Sequence, residues 1–193
     1  FTDGKDAPLN EGARFLRTLE ERMAQEFPAA HIASVMGRFY AMDRDDKWDR
    51  VRLAYEVMTK DGGATAEGAS AYIESRYAQG EGETDEFIQP AVVSIPNQSS
   101  IIHSGDALVF FNFREDSMRE ITRAFVEDGF DKFPREKIPD LFVATMTEYE
   151  KGLSGAAALF PTLEIVHPLG SMVSDAGLRQ LRIAETEKYA HVT

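Results

Sequence analysis

The sequence predicts an α/β domain in which a mostly parallel sheet is flanked by helices. Three observations carry that prediction. Short apolar runs take turns with amphipathic runs along the 193 residues, as they do when strands and crossover helices alternate. The strongest buried-strand candidate, Ala107–Phe113, leads directly into an amphipathic stretch with Met118, Ile121, Phe125 and Val126 on one face. Glycine- and proline-containing turns separate the runs, with no internal repeat and no low-complexity segment.

In chain order, Phe1–Pro8 reads as a strand end entering a turn, punctuated by Asp3-Gly4 and Pro8. Asn10 or a neighbour caps a helix through about Glu26, with Phe15, Leu16, Leu19 and Met23 at helical spacing. His31–Met36 is short and apolar, as a buried strand would be. Trp48–Met58 is an amphipathic helix that Asp61-Gly62-Gly63 stops. Ala64–Tyr77 reads as an alanine-rich helix, Gly80–Glu86 as a polar loop, Ala91–Ile95 as extended, and Pro96–Ser104 as a loop. Beyond the Ser117–Val126 helix come a loop at Gly129–Pro139 and an extended run at Leu141–Met146. A variable-looking stretch, Glu148–Phe160, then leads to a short helix, Gly170–Ala176, ended by Gly177. Both chain ends read as cuts from a longer polypeptide: Phe1 is not an initiator Met, and no signal peptide follows it.

Composition removes several function classes. Hydrophobic residues make up 43% and charged residues 28%, the balance of a soluble domain with room for a sizeable core. No apolar run is long enough to span a bilayer, so no membrane partner is expected. Cysteine is absent, which excludes a disulfide framework and any thiolate ligand or nucleophile, and suits a reducing compartment. A net charge of −12 opposes nucleic acid as the partner. Any anion site here must be a local basic pocket in an acidic protein.

Two stretches have the residues for such a pocket. Gly37–Tyr55 places Arg38 and Arg44 on either side of an aromatic pair, with Asp43, Asp45 and Asp46 packed around the second arginine. Guanidinium forks offer paired donors to a carboxylate or phosphate, and neighbouring carboxylates hold the forks in place. The same residues also fit a plain helix start, with Asp45 or Asp46 as cap and Arg44 in a local ion pair. The second stretch is the strand-to-helix junction at Asn112-Phe113-Arg114. Free amides at a helix N-terminus favour an anionic ligand there, and the crevice at the carboxyl ends of strands is where open α/β sheets bind ligands. Alternatively, Arg114 is a surface arginine paired with Asp116. Ser117-Met-Arg-Glu120 fits a capping box, with Ser117 as N-cap and Glu120 reaching back.

Catalytic machinery is not evident. There is no nucleophile elbow, P-loop or dinucleotide fingerprint. The four histidines are scattered without metal-ligand spacing. Asp43-Arg-Asp-Asp fails as a calcium loop, because Trp48 stands at the turn-glycine position and Ala54 at the bidentate-Glu position. The chain has groups for holding an anion and none for attacking one.

Gly37-Arg-Phe-Tyr-Ala-Met-Asp-Arg-Asp with Trp48 closely resembles a signature of the cofactor-independent (2,3-bisphosphoglycerate-independent) phosphoglycerate mutases. The resemblance runs nearly end to end. Phe1-Thr-Asp-Gly-Lys-Asp is similar to the family's F-x-D-G-R-D, and Thr84-Asp-Glu-Phe-Ile with Pro90 to its T-D-E-F-V…P. Gly105–Arg114 is similar to G-D-x-V-x-F-F-N-F-R, and Thr145–Tyr149 to x-M-T-x-Y. Leu181–Thr193 resembles the family's return linker.

The resemblance implies a phosphotransferase domain normally inserted in an alkaline-phosphatase-like domain. Residues 1–6 would be the incoming linker and substrate turn, 7–180 the domain, and 181–193 the return linker. It implies interconversion of 3-phosphoglycerate and 2-phosphoglycerate through a phosphoserine, in cytoplasmic glycolysis and gluconeogenesis. The serine and two Mn2+ ions would lie in the partner domain of the same polypeptide, so no cofactor or metal is expected within this segment, which would be inactive alone. Carried over by position, Lys5 and Asp6 contact the glycerate part, Arg38 and Arg44 grip carboxylate and hydroxyl groups, and Arg114 holds phosphate. Asp43 belongs to the same motif as Arg44, and Lys188 reaches the site from the linker. Two positions depart from the pattern. Lys5 replaces an arginine, keeping charge but not the planar fork. Ser117 stands at a phosphate-binding arginine, with Arg119 two residues on. The alternatives are a phosphomutase or phosphatase for another small phosphate ester, or a non-catalytic anion-binding module.

Overall fold

The computed structural model describes residues 1–60, 65–80, 83–95, 101–161 and 165–185. The chain divides into two compact units, Phe1–Leu159 and Phe160–Thr193. The described part of the second unit is built on one short helix, α6 (Leu169–Asp175). Gly177 follows it with φ +68 and donates its N–H to the Ser174 carbonyl at 2.9 Å. This left-handed exit is the one expected of a terminating glycine.

Among its described residues the first unit holds two three-stranded sheets rather than one. In the first sheet, β1 (Ser34–Val35) pairs antiparallel with β3 (Ala91–Val93), and β2 (Thr65–Ala66) pairs parallel with it. In the second, β4 (Ala107–Phe110), β5 (Phe142–Thr145) and β6 (Ala156–Ala158) are all parallel. Three of the four strand pairings are therefore parallel, and helices flank the sheets, so the predicted class stands. Sequence patterning missed β2 and β6. β2 falls inside the stretch read as helix; α4 begins only at Ala69 and runs to Tyr77. β6 is three alanines, with no apolar bulk to signal a strand. The expected helix stop at 61–63, much of the 96–104 loop and Lys188 lie outside the described residues.

Two apolar clusters hold the unit together. α3 (Trp48–Thr59) and α5 (Glu115–Val126) pack against the second sheet through Val51, Tyr55, Met118, Ile121, Phe125, Phe110 and Val143. Burying each large side chain is worth about 1.5–3 kcal/mol. The Tyr55 ring lies 4.8 Å from Phe125 and 5.7 Å from Phe133, and its hydroxyl donates to the Glu136 carbonyl at 3.1 Å. The second cluster joins α1 (Gly12–Glu26) and α4 to the first sheet through Ala13, Ile73, Val35, Ala91 and Val93. Phe15 and Leu19, read as part of the α1 core face, are instead 57% and 46% exposed. Leu16 packs onto the cluster in their place, and the Arg14 guanidinium covers the Phe15 ring at 4.5 Å.

Two of the expected helix starts are corrected here. Asn10 does not cap α1. Asp85, in a 3-10 turn at Asp85–Phe87, does so from 73 residues away, accepting the Gly12 N–H at 2.7 Å and the Glu11 N–H at 3.0 Å. Tyr77 donates its hydroxyl to the other oxygen of Asp85. Nor is Ser117 an N-cap: α5 begins at Glu115, so Ser117 sits in its first turn, buried, and the capping box does not form. Glu115 and Asp116 occupy that turn, where acidic side chains complement the helix dipole.

Candidate functional site

The site begins with three backbone segments stitched together. Thr2 bridges to Gly37: its N–H donates to the Met36 carbonyl and its carbonyl accepts the Arg38 N–H, both at 2.9 Å. The Thr2 hydroxyl donates to the Asp85 carbonyl at 2.7 Å, and the Gly37 N–H to the Ile88 carbonyl at 2.7 Å. The approach is so close that a Cβ on Gly37 would collide with the Glu86 carbonyl, which is the physical need for glycine there. This stitching brings the 3–6 turn beside α2 (Arg38–Ala41) and the 85–87 turn.

On that frame, arginines and carboxylates alternate in one chain of contacts. Arg38, only 12% exposed at its side chain, donates Nη1 to Asp3 at 2.8 Å and to Asp6 at 2.7 Å. Asp6 also faces Arg114 Nη1 at 3.7 Å. Arg114 Nε donates to one oxygen of Asp116 at 2.9 Å, and Arg44 Nη1 to the other at 2.6 Å. Lys5 Nζ lies 3.8 Å from Glu86. The Arg44 and Arg114 contacts mean that the local-pair reading and the site reading describe the same atoms: Asp116 is the post to which both guanidiniums are tied. Burial would raise the pKa of Asp116, but Arg114 and Arg44 outweigh it and hold the carboxyl below its usual range. Asp3 behaves likewise: burial works upward, while the Asp6 amide, Arg38 and the Lys5 amide bring it down.

A cavity of about 230 Å³ opens among these groups, lined by Lys5, Asp6, Arg38, Asp43, Arg44, Arg114 and Ser117, with Arg50, Phe39 and Glu86 completing much of the wall. Seven of the residues singled out from the sequence thus share one space. Arg119 does not: its Nε donates to the Tyr149 carbonyl at 3.2 Å, and it forms no part of the wall. Tyr149 in turn donates its hydroxyl to the Phe110 carbonyl at 3.0 Å and to that of Asn112. It so pins the turn from which Arg114 emerges, and Asn112 Oδ1 accepts the Arg114 N–H at 2.9 Å.

Asp43 proves to be the organiser of its turn. Its side chain is 2% exposed; Oδ1 accepts the Asp45 and Lys47 N–H groups at 3.0 and 2.9 Å, and Oδ2 accepts Arg50 Nη1 at 2.9 Å. Neither Asp45 nor Asp46 caps α3. Arg50 escaped sequence reasoning because it sits at helical spacing beside Trp48 and Val51 and reads as a solvated helix face. In the fold its guanidinium lies 3.8 Å over the Phe39 ring, a cation–π contact, and faces the cavity. Among the described residues no group of three or more His, Asp or Glu side chains could hold a metal ion, and no helix is long and apolar enough to cross a membrane.

Fold and site together define an α/β domain with an arginine–carboxylate cleft at the ends of its strands and helices. Residues 1–151 match the family model for the BPG-independent PGAM N-terminus, and the chain belongs to that family. Over its full length it is 47% identical to a 2,3-bisphosphoglycerate-independent phosphoglycerate mutase of Synechococcus sp. (strain JA-3-3Ab), covering 35% of that protein. It is 45% identical to phosphoglycerate mutase 1 of that type from Methanosarcina acetivorans, covering 37% of it. A crystal structure of Leishmania mexicana phosphoglycerate mutase at low cobalt concentration superposes with a TM-score of 0.82 at 30% identity, over 99% of this chain and 36% of that one. The chain therefore spans little more than a third of the length of these relatives.

Proposed function

We propose that this chain is the substrate-clasping domain of a phosphoglycerate mutase. It would hold the glycerate moiety of 3-phosphoglycerate or 2-phosphoglycerate while a phosphoryl group passes to and from a serine supplied elsewhere in the polypeptide. The observation that carries this reading is the single cavity shared by Lys5, Asp6, Arg38, Asp43, Arg44, Arg114 and Ser117. A three-carbon acid phosphate has a carboxylate at one end and a phosphate at the other, and paired guanidiniums suit both. Arg44 and Arg114, tied back to Asp116, give a fixed pair of cations for one end. Arg38, Lys5 and Asp6 can receive the carboxylate and hydroxyls.

The mechanism then assigns this chain orientation rather than bond making. Holding glycerate between two transfers lowers the barrier by position and by preorganised charge. The phosphoserine step, the two Mn2+ ions that would support it and the cytoplasmic, glycolytic setting belong to the whole polypeptide. Residues 1–6 and 181–193 would be its linkers to this domain. The isolated chain is expected to bind and not to turn over. Ser117 leaves the wall one cation short of the family pattern, so phosphate is held by Arg114 with Arg44 rather than by two neighbouring arginines of α5.

The test is titration of the chain with 3-phosphoglycerate while arginine Nε–Hε NMR signals are followed. Signals of Arg38, Arg44 and Arg114 should shift together, with those of Arg119 unchanged. No response up to about 10 mM ligand, beyond even weak specific affinity, would overturn the reading.

A further inference from the structure

Beneath the cleft lies a carboxyl that the reading above does not use. Glu120, on α5, is 6% exposed. Its Oε1 accepts the Asp46 N–H at 3.0 Å, from a residue held at φ 57 in the Asp43–Lys47 turn. Its Oε2 is buried without any hydrogen-bond donor. That oxygen is an anomaly for an ionised group, because a buried carboxylate oxygen without a donor is costly. The turn that gives Glu120 its Asp46 amide is folded around a second carboxyl, that of Asp43, which bears on Glu120. Two carboxylates cannot satisfy each other, but a carboxylic acid and a carboxylate can.

We propose that Glu120 is a positioning residue for the cleft, its carboxyl joining the Asp46 amide to the Asp43 side chain and so holding the turn that carries Arg44. The bridge contains one proton, on Glu120, donated to Asp43. When Glu120 ionises, that proton goes to solvent and two buried carboxylates face each other under the cavity wall. The charges that bear on Glu120 are Asp43 and Asp46 from the turn, both acidic. Arg50 of α3 gives its Nη1 to Asp43, and Arg123, farther along α5, pairs with Glu127. Burial first, and then Asp43 and Asp46, push Glu120 up to about 7 against the opposing pull of the Asp46 amide. The consequence is that the cleft is in order on the acid side of neutrality and loosens on the alkaline side. This consequence for binding rests on the cleft being an anion site.

The 193-residue chain and its E120Q variant would be compared by the Asp46 amide resonance across about pH 5 to 9 and by sulfate affinity at about pH 6 and 8. Sulfate keeps its charge over that range, and Gln supplies a neutral donor of the same shape. The Asp46 amide should titrate with a midpoint near 7 in the wild type and stay flat in E120Q. Sulfate affinity should fall about fivefold from the lower to the higher pH in the wild type, at the low end of ordinary coupling between sites, and hardly change in E120Q. A midpoint below about 5.5, the ordinary carboxyl range, would overturn the inference. So would the same pH dependence in both proteins, or no sulfate binding at either pH. Sulfate behaving as expected while 3-phosphoglycerate fails to bind would sink the substrate reading and leave the role of Glu120 standing.

Discussion

Arg44 and Asp116, 72 residues apart in the chain, meet at 2.6 Å, and this contact ties the turn before α3 to the first turn of α5. It sets the spacing of the cleft, because the other Asp116 oxygen holds Arg114.

Removing that post should weaken ligand binding rather than free the arginines for it. In D116N the shape is kept, but the amide oxygen can accept from only one of the two arginines, and the amide nitrogen, itself a donor, leaves the other without its acceptor. Affinity for 3-phosphoglycerate is expected to drop about tenfold, or 1.4 kcal/mol, by calorimetric titration. An increase would mean that Asp116 competes with the ligand. The same ion pairs give the fold an acid limit. Asp3 and Asp116 have lowered folded pKa values, so the stability they add is full above the ordinary carboxyl value near 4 and is lost as pH falls through the folded values.

Arg50 is expected to matter for stability more than its position on a helix surface suggests. R50A leaves the Asp43 side chain, 2% exposed, without the guanidinium that donates to its Oδ2. Loss of one partner of a buried pair costs about 3 kcal/mol, readable as a lower urea midpoint at unchanged slope. R50K should recover part of this, since Lys restores charge but not the stacking on Phe39.

Asp85 is a distant cap, and D85A should behave like a cap deletion. Two α1 amides lose their acceptor and Tyr77 loses its carboxylate partner. A cost of about 2 kcal/mol is expected, with hydrogen exchange accelerating first at Glu11 and Gly12. An unchanged melting temperature would refute the assignment.

E120Q should also alter the pH dependence of stability. Glu120 is raised from the ordinary value to about 7, so the folded state binds the extra proton. Stability is then full below the unfolded pKa and declines as pH rises from about 4.5 to 7. The variant removes that decline, so it should be more stable than the wild type at about pH 8 by on the order of 2 kcal/mol and equal to it only below the unfolded value, at about pH 4. Denaturant melts at about pH 4 and 8 would check the sign.

Much of the framework was legible before any coordinates. α3 and α5 follow from apolar spacing, α6 from its terminating glycine, and β1, β3, β4 and β5 from short apolar runs; each begins or ends within a few residues of its expected limits, but β4, read as a buried strand through Phe113, stops at Phe110, the one residue it buries. Arg38, Arg44 and Arg114 stood out because clustered arginines are conspicuous in a chain of net charge −12. What stayed hidden was non-local. The Asp85 cap, the Asp116 post and the Glu120–Asp43 pair each join residues tens of positions apart, and no local pattern marks a side chain for a partner that far away. Ser117 misled for the complementary reason: the local capping pattern was present, but Asp116 already occupies the start of α5 and Glu120 is drawn to Asp46.

Residue order alone, through hydrophobic period, turn chemistry and motif, decided the α/β class, the family likeness and which cations could meet an anion. Only the folded chain decided which carboxylate holds which guanidinium, that Arg50 belongs to the cleft and Arg119 does not, and that Glu120 is buried with an unanswered oxygen. The reason is physical: periodicity is a property of neighbours along the chain, whereas ion pairing and desolvation depend on distances that only packing creates.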